Sequence, residues 1–103
     1  MIDSRSKGRT AERDVEVRFK EAGFFTDRNL GGRHQVAGDL TTEGFALEVR
    51  NRQKLSLTAW SAEHELSTPD HLTPAIVYRS NRQPWRVSLR LDDFLDLLKE
   101  ARS

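Results

Sequence analysis

The sequence predicts an α/β domain with three helices and five strands in the order αβββαββα, and three stretches carry that prediction. Ala11, Val15, Phe19 and Ala22 recur at spacings of four, four and three, which draws one apolar face on a helix. Phe45 to Arg50 alternates behind a Glu43-Gly44 turn, as a half-buried strand leaving a hairpin does. Asp92 to Ala101 carries Phe94, Leu95, Leu97 and Leu98 at helical spacing and closes the chain. With 103 residues there is material for one domain, residues 1–103, and not two.

Taken in order, Thr10 to Ala22 is the first helix, and Gly23 ends it. Phe24 to Arg28 reads as a short strand. Asn29 to Gly38, with three glycines among polar neighbours, reads as a flexible loop. Asp39 to Thr42 leads through the Glu43-Gly44 turn into Phe45 to Arg50, which puts Phe45, Leu47 and Val49 on one face and Ala46, Glu48 and Arg50 on the other. Asn51 to Ser56 is a polar connection. Leu57 to Leu66 forms a helix with Ser56 or Thr58 as its cap and Trp60 as its anchor. A loop over Pro69 to Pro74 precedes strands at Ala75 to Arg79 and Trp85 to Leu89, and the last helix follows. Trp60, Trp85 and the apolar residues of that helix read as core or as a surface for a second copy.

Composition removes several kinds of chemistry. There is no cysteine, so disulfides, thiolate zinc, iron–sulfur ligation and a thiol nucleophile are excluded. The three histidines, His34, His64 and His71, match no metal-binding spacing, so any metal here is held by oxygen. No apolar run approaches the ~18 residues of a membrane span, and Met1 to Thr10 is polar and basic without a signal-peptide core, so the expected location is cytoplasmic.

The formal net charge is +1, yet 13 of the 17 basic residues are arginine and acids are missing from three stretches. Asp27 to Asp39 encloses Arg28, Arg33 and His34; Glu48 to Glu63 encloses Arg50, Arg52 and Lys54; Asp70 to Asp92 encloses Arg79, Arg82, Arg86 and Arg90. The planar guanidinium fork suits phosphate, although a solvated surface rich in arginine has the same pattern. Residues 1–9 are read either as a flexible basic tail or as an ordered contact.

Two acids are out of place for a solvated face. Asp39 and Glu48 stand at the start and near the end of the two-strand unit, and pairing about Glu43-Gly44 brings them to the same end of adjacent strands. Like charges that close need a cation or a proton. Glu12, at the edge of the first helix's apolar face, can look toward the same point. Such an array suits a hard Mg²⁺ held by one or two carboxylates with water and a substrate phosphate. The same residues also fit ordinary roles: a strand acid paired with Arg50 or Arg52, a turn aspartate and a helix glutamate.

Lys7-Gly8, Glu12, Ala22-Gly23-Phe24, Arg28, Gly38-Asp39-Leu40, Ala46-Leu47-Glu48-Val49-Arg50, Pro74 to Val77 and Trp85-Arg86-Val87, in that order, resemble the archaeal-type Holliday-junction resolvases and their phage relatives in the PD-(D/E)XK nuclease superfamily. The resemblance spans nearly the whole chain and rests on the order of several short motifs. It implies a restriction-endonuclease-like core, with a central mixed five-stranded sheet flanked by helices. It also implies a homodimer that cleaves phosphodiesters of branched DNA with Mg²⁺, or with Mn²⁺ as a substitute, in the cytoplasm of the host if the gene is a phage's.

Carried over by position, Asp39 and Glu48 match the acidic metal ligands, with the Val49 carbonyl beside them, and Glu12 matches the helix glutamate. Arg50 stands where the family has lysine. Arginine does not release its proton at accessible pH, so it can orient water or stabilise phosphate charge but cannot act as a base. Lys54 is a candidate substitute. Arg5, Lys7, Arg9, Arg28, Arg33, Arg52 and Lys54 are the expected contacts to DNA phosphates. Two other readings share these residues: a DNA-binding protein of weakened activity, and a general or repair nuclease acting on duplex or single strands.

Overall fold

The computed structural model describes residues 4–28 and 39–103, and of residues 4–9 the backbone only. Its elements are α1 (Ser4–Glu21), β1 (Thr26–Arg28), β2 (Leu40–Thr42), β3 (Phe45–Asn51), α2 (Leu57–Ser67), β4 (Thr73–Arg79), β5 (Arg86–Ser88) and α3 (Leu91–Arg102). The order is the one expected. The five strands form one mixed sheet in the spatial order β1-β2-β3-β4-β5, antiparallel throughout except for the parallel β3–β4 pair.

α1 begins at Ser4, six residues ahead of the expected Thr10, because no proline or glycine breaker other than Gly8 interrupts that polar stretch. Its end is sharper. Gly23 takes φ 97°, its N–H donates to the Lys20 carbonyl, and the Phe24 N–H donates to the Phe19 carbonyl. This Schellman pattern satisfies the last carbonyls of the helix and turns the chain, so β1 starts at Thr26 and not at Phe24.

The β2–β3 turn also follows from its residues. Glu43 and Gly44 both have positive φ, at 48° and 83°, the twist that a two-residue hairpin needs. The register pairs Leu40 with Leu47 and Thr42 with Phe45. α2 starts after Ser56 as expected, although the Ser56 side chain makes no capping bond. β4 starts at Thr73, inside the expected loop, and β5 is one residue shorter at each end than Trp85 to Leu89.

Alternation in β3 then divides the core between the two faces of the sheet. Ala11 and Val15 of α1 pack with Leu40, Leu47, Val49, Ala75 and Val77, with Phe19, Phe45, Trp85 and Leu89 at the margin. On the opposite face, α2 covers the sheet, and Ala46, Ile76 and His64 are 0%, 1% and 2% exposed. α3 is different: none of its residues is buried. No helix among the described residues is long and apolar enough to cross a membrane.

Candidate active site

The site is assembled by the hairpin. Asp39 immediately precedes β2 and is bound to β3 twice: its N–H donates to the Leu47 carbonyl at 2.7 Å, and its Oδ2 accepts from the Val49 N–H at 2.8 Å. A carboxylate fixed by a backbone donor has one oxygen committed and the other available. Glu48 lies between Leu47 and Val49, so Asp39 and Glu48 stand side by side at one end of the strand pair, as the spacing predicts.

Glu48 projects to the α2 face between two nitrogens. Arg50 Nη2 and His64 Nδ1 each lie 3.7 Å from its carboxylate oxygens. His64 is fixed by its other nitrogen, Nε2, which donates to the Ala46 carbonyl at 2.8 Å, while Nδ1 has no hydrogen-bond partner. Arg50 is propped by Trp60, its guanidinium carbon 5.6 Å from the ring centre, a cation–π distance. The aromatic anchor expected of Trp60 thus supports a charged side chain.

Glu12 approaches from α1. Arg28 on β1 lies between two helix acids, with Nη2 3.5 Å from Glu12 and Nε 3.6 Å from Glu16. The charge on Arg28 is therefore directed inward to the carboxylates of α1.

The electrostatics follow from this crowding. Burial first, and then the hydrogen bond and charge of Asp39, push Glu12 up to about 7 against the pull of Arg28. Glu48 is also raised, chiefly by burial and then by Asp39, with Arg50 and His64 acting in the opposite direction. Asp39 thus opposes the charge on both glutamates. Perturbation by burial plus a specific charged neighbour is typical of functional sites.

The donor set fits a hard cation in part. Among the described residues no group of three or more His, Asp or Glu side chains closes into a cage for a metal ion. The second oxygen of Asp39, the Glu48 carboxylate and the Val49 carbonyl could make an incomplete set, the kind Mg²⁺ accepts when water and phosphate complete its shell. All donors are oxygen, which suits Mg²⁺ or Mn²⁺.

The expected phosphate contacts are distributed unevenly. Arg52 and Lys54 are exposed on the connection after β3, and the Arg52 N–H donates to the Arg79 carbonyl. Arg33, with the rest of the expected loop, lies outside the described residues, and so do the side chains of Arg5, Lys7 and Arg9. One residue of the site was not singled out by sequence: His64 lies one helical turn beyond Trp60 on α2, a weak signal.

No protein-family model matches the chain, and no curated protein matches it. Among solved structures, the chain is similar to Hjc, a Holliday junction resolvase from the archaeal hyperthermophile Archaeoglobus fulgidus. The TM-score is 0.54 at 22% sequence identity, over 79% of this chain and 70% of that one. The two share the fold, a mixed five-stranded sheet flanked by helices.

Proposed function

We propose that the protein is a metal-dependent endonuclease that cuts branched DNA, with the Holliday junction as its substrate. The observation that carries this reading is the convergence of Glu12 and Glu48 on Asp39, itself pinned to the Val49 N–H. The shared fold with an archaeal resolvase supports the choice of substrate.

In this reading Asp39, Glu48 and the Val49 carbonyl hold Mg²⁺, or Mn²⁺ in its place. Bound there, the ion would supply Lewis-acid polarisation of the phosphate and activation of a water. Glu12 orients the attacking water. Arg50, propped on Trp60 and protonated at all accessible pH, stabilises charge on the phosphate oxygens and takes no proton. His64 keeps Glu48 in place from behind. Arg52 and Lys54 contact flanking phosphates, together with Arg5, Lys7, Arg9 and Arg33. Arg28 acts by holding Glu12 and Glu16.

A second copy of the chain completes the assembly in this reading. The apolar side of α3 is open to solvent at Phe94, Leu95 and Leu98. Beside it runs a groove of about 520 Å³ whose lining includes Phe19, Phe24, Phe45 and Leu97. An isologous pair would bring two sites to symmetry-related strands of a junction.

The test is cleavage of labelled four-way junction, duplex and single-stranded DNA with and without Mg²⁺ or Mn²⁺, beside Asp39→Asn. Metal-dependent paired nicks near the branch point, absent in the variant, are the expected result. Equal cutting of all three substrates would make the protein a general nuclease. Junction binding without cutting under either metal would mean that arginine at position 50 accompanies lost catalysis.

A further inference from the structure

The C-terminal end of the β3–β4 pair carries an arginine that the site described so far does not use. Arg79 is the last residue of β4 and lies opposite Asn51, the last residue of β3, in the parallel register. Its guanidinium carbon sits 4.5 Å from the centre of the Trp85 ring. Trp85 is fixed in turn, packing against the α1-side core and donating from its indole nitrogen to Asp14 Oδ2 at 2.7 Å. Asp14 directs its other oxygen to Arg18, 3.5 Å away.

Three features separate Arg79 from an ordinary surface arginine. Among the described residues it forms no ion pair with a carboxylate. Its Nε is buried without a hydrogen-bond partner, and so is Oδ1 of the adjacent Asn51. Buried polar atoms are seldom left unpaired unless something absent completes them. Arg79 also has a counterpart. Arg50 stacks on Trp60 toward α2 as Arg79 stacks on Trp85 toward α1, and the Nε of Arg50 is likewise buried and unpaired. Two guanidiniums, each within cation–π distance of a tryptophan, therefore straddle the end of the parallel strand pair.

We infer that Arg79, held by Trp85 and flanked by Asn51, is a binding site for a phosphodiester of the DNA backbone next to the carboxylate cluster. An unpaired guanidinium held by one face presents its edge, and the edge is the part that matches phosphate. The position is suitable: Asn51 lies two residues, or about 7 Å along the strand, beyond Val49. The inference rests on the nuclease reading for its choice of ligand, and it assigns a residue that reading leaves idle.

The experiment is equilibrium binding of labelled four-way junction DNA in EDTA, where no cutting occurs, over a series of salt concentrations. Wild type is compared with Arg79→Gln, Arg79→Lys and Lys99→Gln, the last removing a charge from α3. Thermal melts run in parallel. For Arg79→Gln the expected result is binding weaker by about tenfold and a log–log salt slope smaller by about one. Arg79→Lys should retain most of the slope, and serves in its place if Arg79→Gln does not fold, with its affinity loss as the readout. Lys99→Gln should match wild type. A lowered melting temperature with an unchanged salt slope in Arg79→Gln would reduce Arg79 to a structural partner of Trp85 and overturn the inference. An equal loss in Lys99→Gln would do the same, since the effect would then be one of total charge. If wild type binds no DNA at any salt concentration, the nuclease reading itself fails and the inference with it.

Discussion

Two regions of this small protein break the usual economy of folding in opposite ways. Near Asp39 three carboxylates crowd together, and two are raised because burial and mutual repulsion oppose their charge. Along α3 the reverse holds: Phe94, Leu95 and Leu98 stand half exposed on a helix without one buried residue. Between them lies an ordinary core, with Ala46 and Ile76 sealed on one face of the sheet and Val15 and Leu40 on the other. Folding alone selects for neither charge crowded where it repels nor hydrocarbon left in water, and the proposed function assigns each region a partner: a cation and phosphate at one, a second chain at the other.

The contrast can be broken first at the acids. Glu48→Gln keeps the shape and removes the charge, so cleavage of junction DNA should fall by about a thousandfold or more. Its melting temperature at pH 7 without metal should stay level or rise, because a destabilised charge is gone. Loss of activity together with loss of stability would make Glu48 a structural acid. The ordinary core gives the reference for a packing effect. Ile76→Ala should cost about 2–5 kcal/mol in denaturant unfolding, whereas Leu98→Ala should cost less than about 1 kcal/mol.

The pH dependence of stability sharpens the electrostatic half. A carboxyl group raised on folding holds its proton more tightly in the native state, so stability falls as pH rises from the unfolded value of 4.5 toward about 7. For Glu12, allowing for partial exposure, the loss is on the order of 1–2 kcal/mol without metal. Glu12→Gln should flatten that part of the curve, and an unchanged curve would mean that Glu12 is not under strain. The smallest effect on folding is expected at α3. Phe94→Asp with Leu98→Asp should leave the melting temperature within a few degrees while shifting the sedimenting species from dimer to monomer; a wild type that sediments as a monomer would contradict the second-copy reading.

How much of this was legible in the sequence depended on whether the signal was local. The hairpin could be read because Glu43-Gly44 demands a two-residue turn, and once the turn is known the alternation of Phe45 to Arg50 brings Asp39 and Glu48 together. The end of α1 was equally local, fixed by Gly23. The helix start was not, since residues 4–9 are polar and lack the apolar period that marked Thr10 onward. The surroundings of His64 and Arg79 escaped because they are non-local: His64 faces the carboxylate of a strand sixteen residues earlier, and Arg79 a tryptophan just ahead of the next strand, itself bonded to a helix aspartate 65 residues before Arg79. Spacing likewise could not reveal that Glu12 and Glu16, on another element, face Arg28.

The central claim, that the crowded carboxylates form a cation site, is tested most directly by thermal melting at pH 7 over a range of Mn²⁺ concentrations, with Asp39→Asn alongside. A ligand that binds only the native state raises the melting temperature as its concentration increases. The expected result is a concentration-dependent rise in wild type that is absent in Asp39→Asn, which retains a carbonyl oxygen to accept from Val49 but loses the charge. A wild type indifferent to Mn²⁺, or an equal rise in both proteins, would contradict the claim.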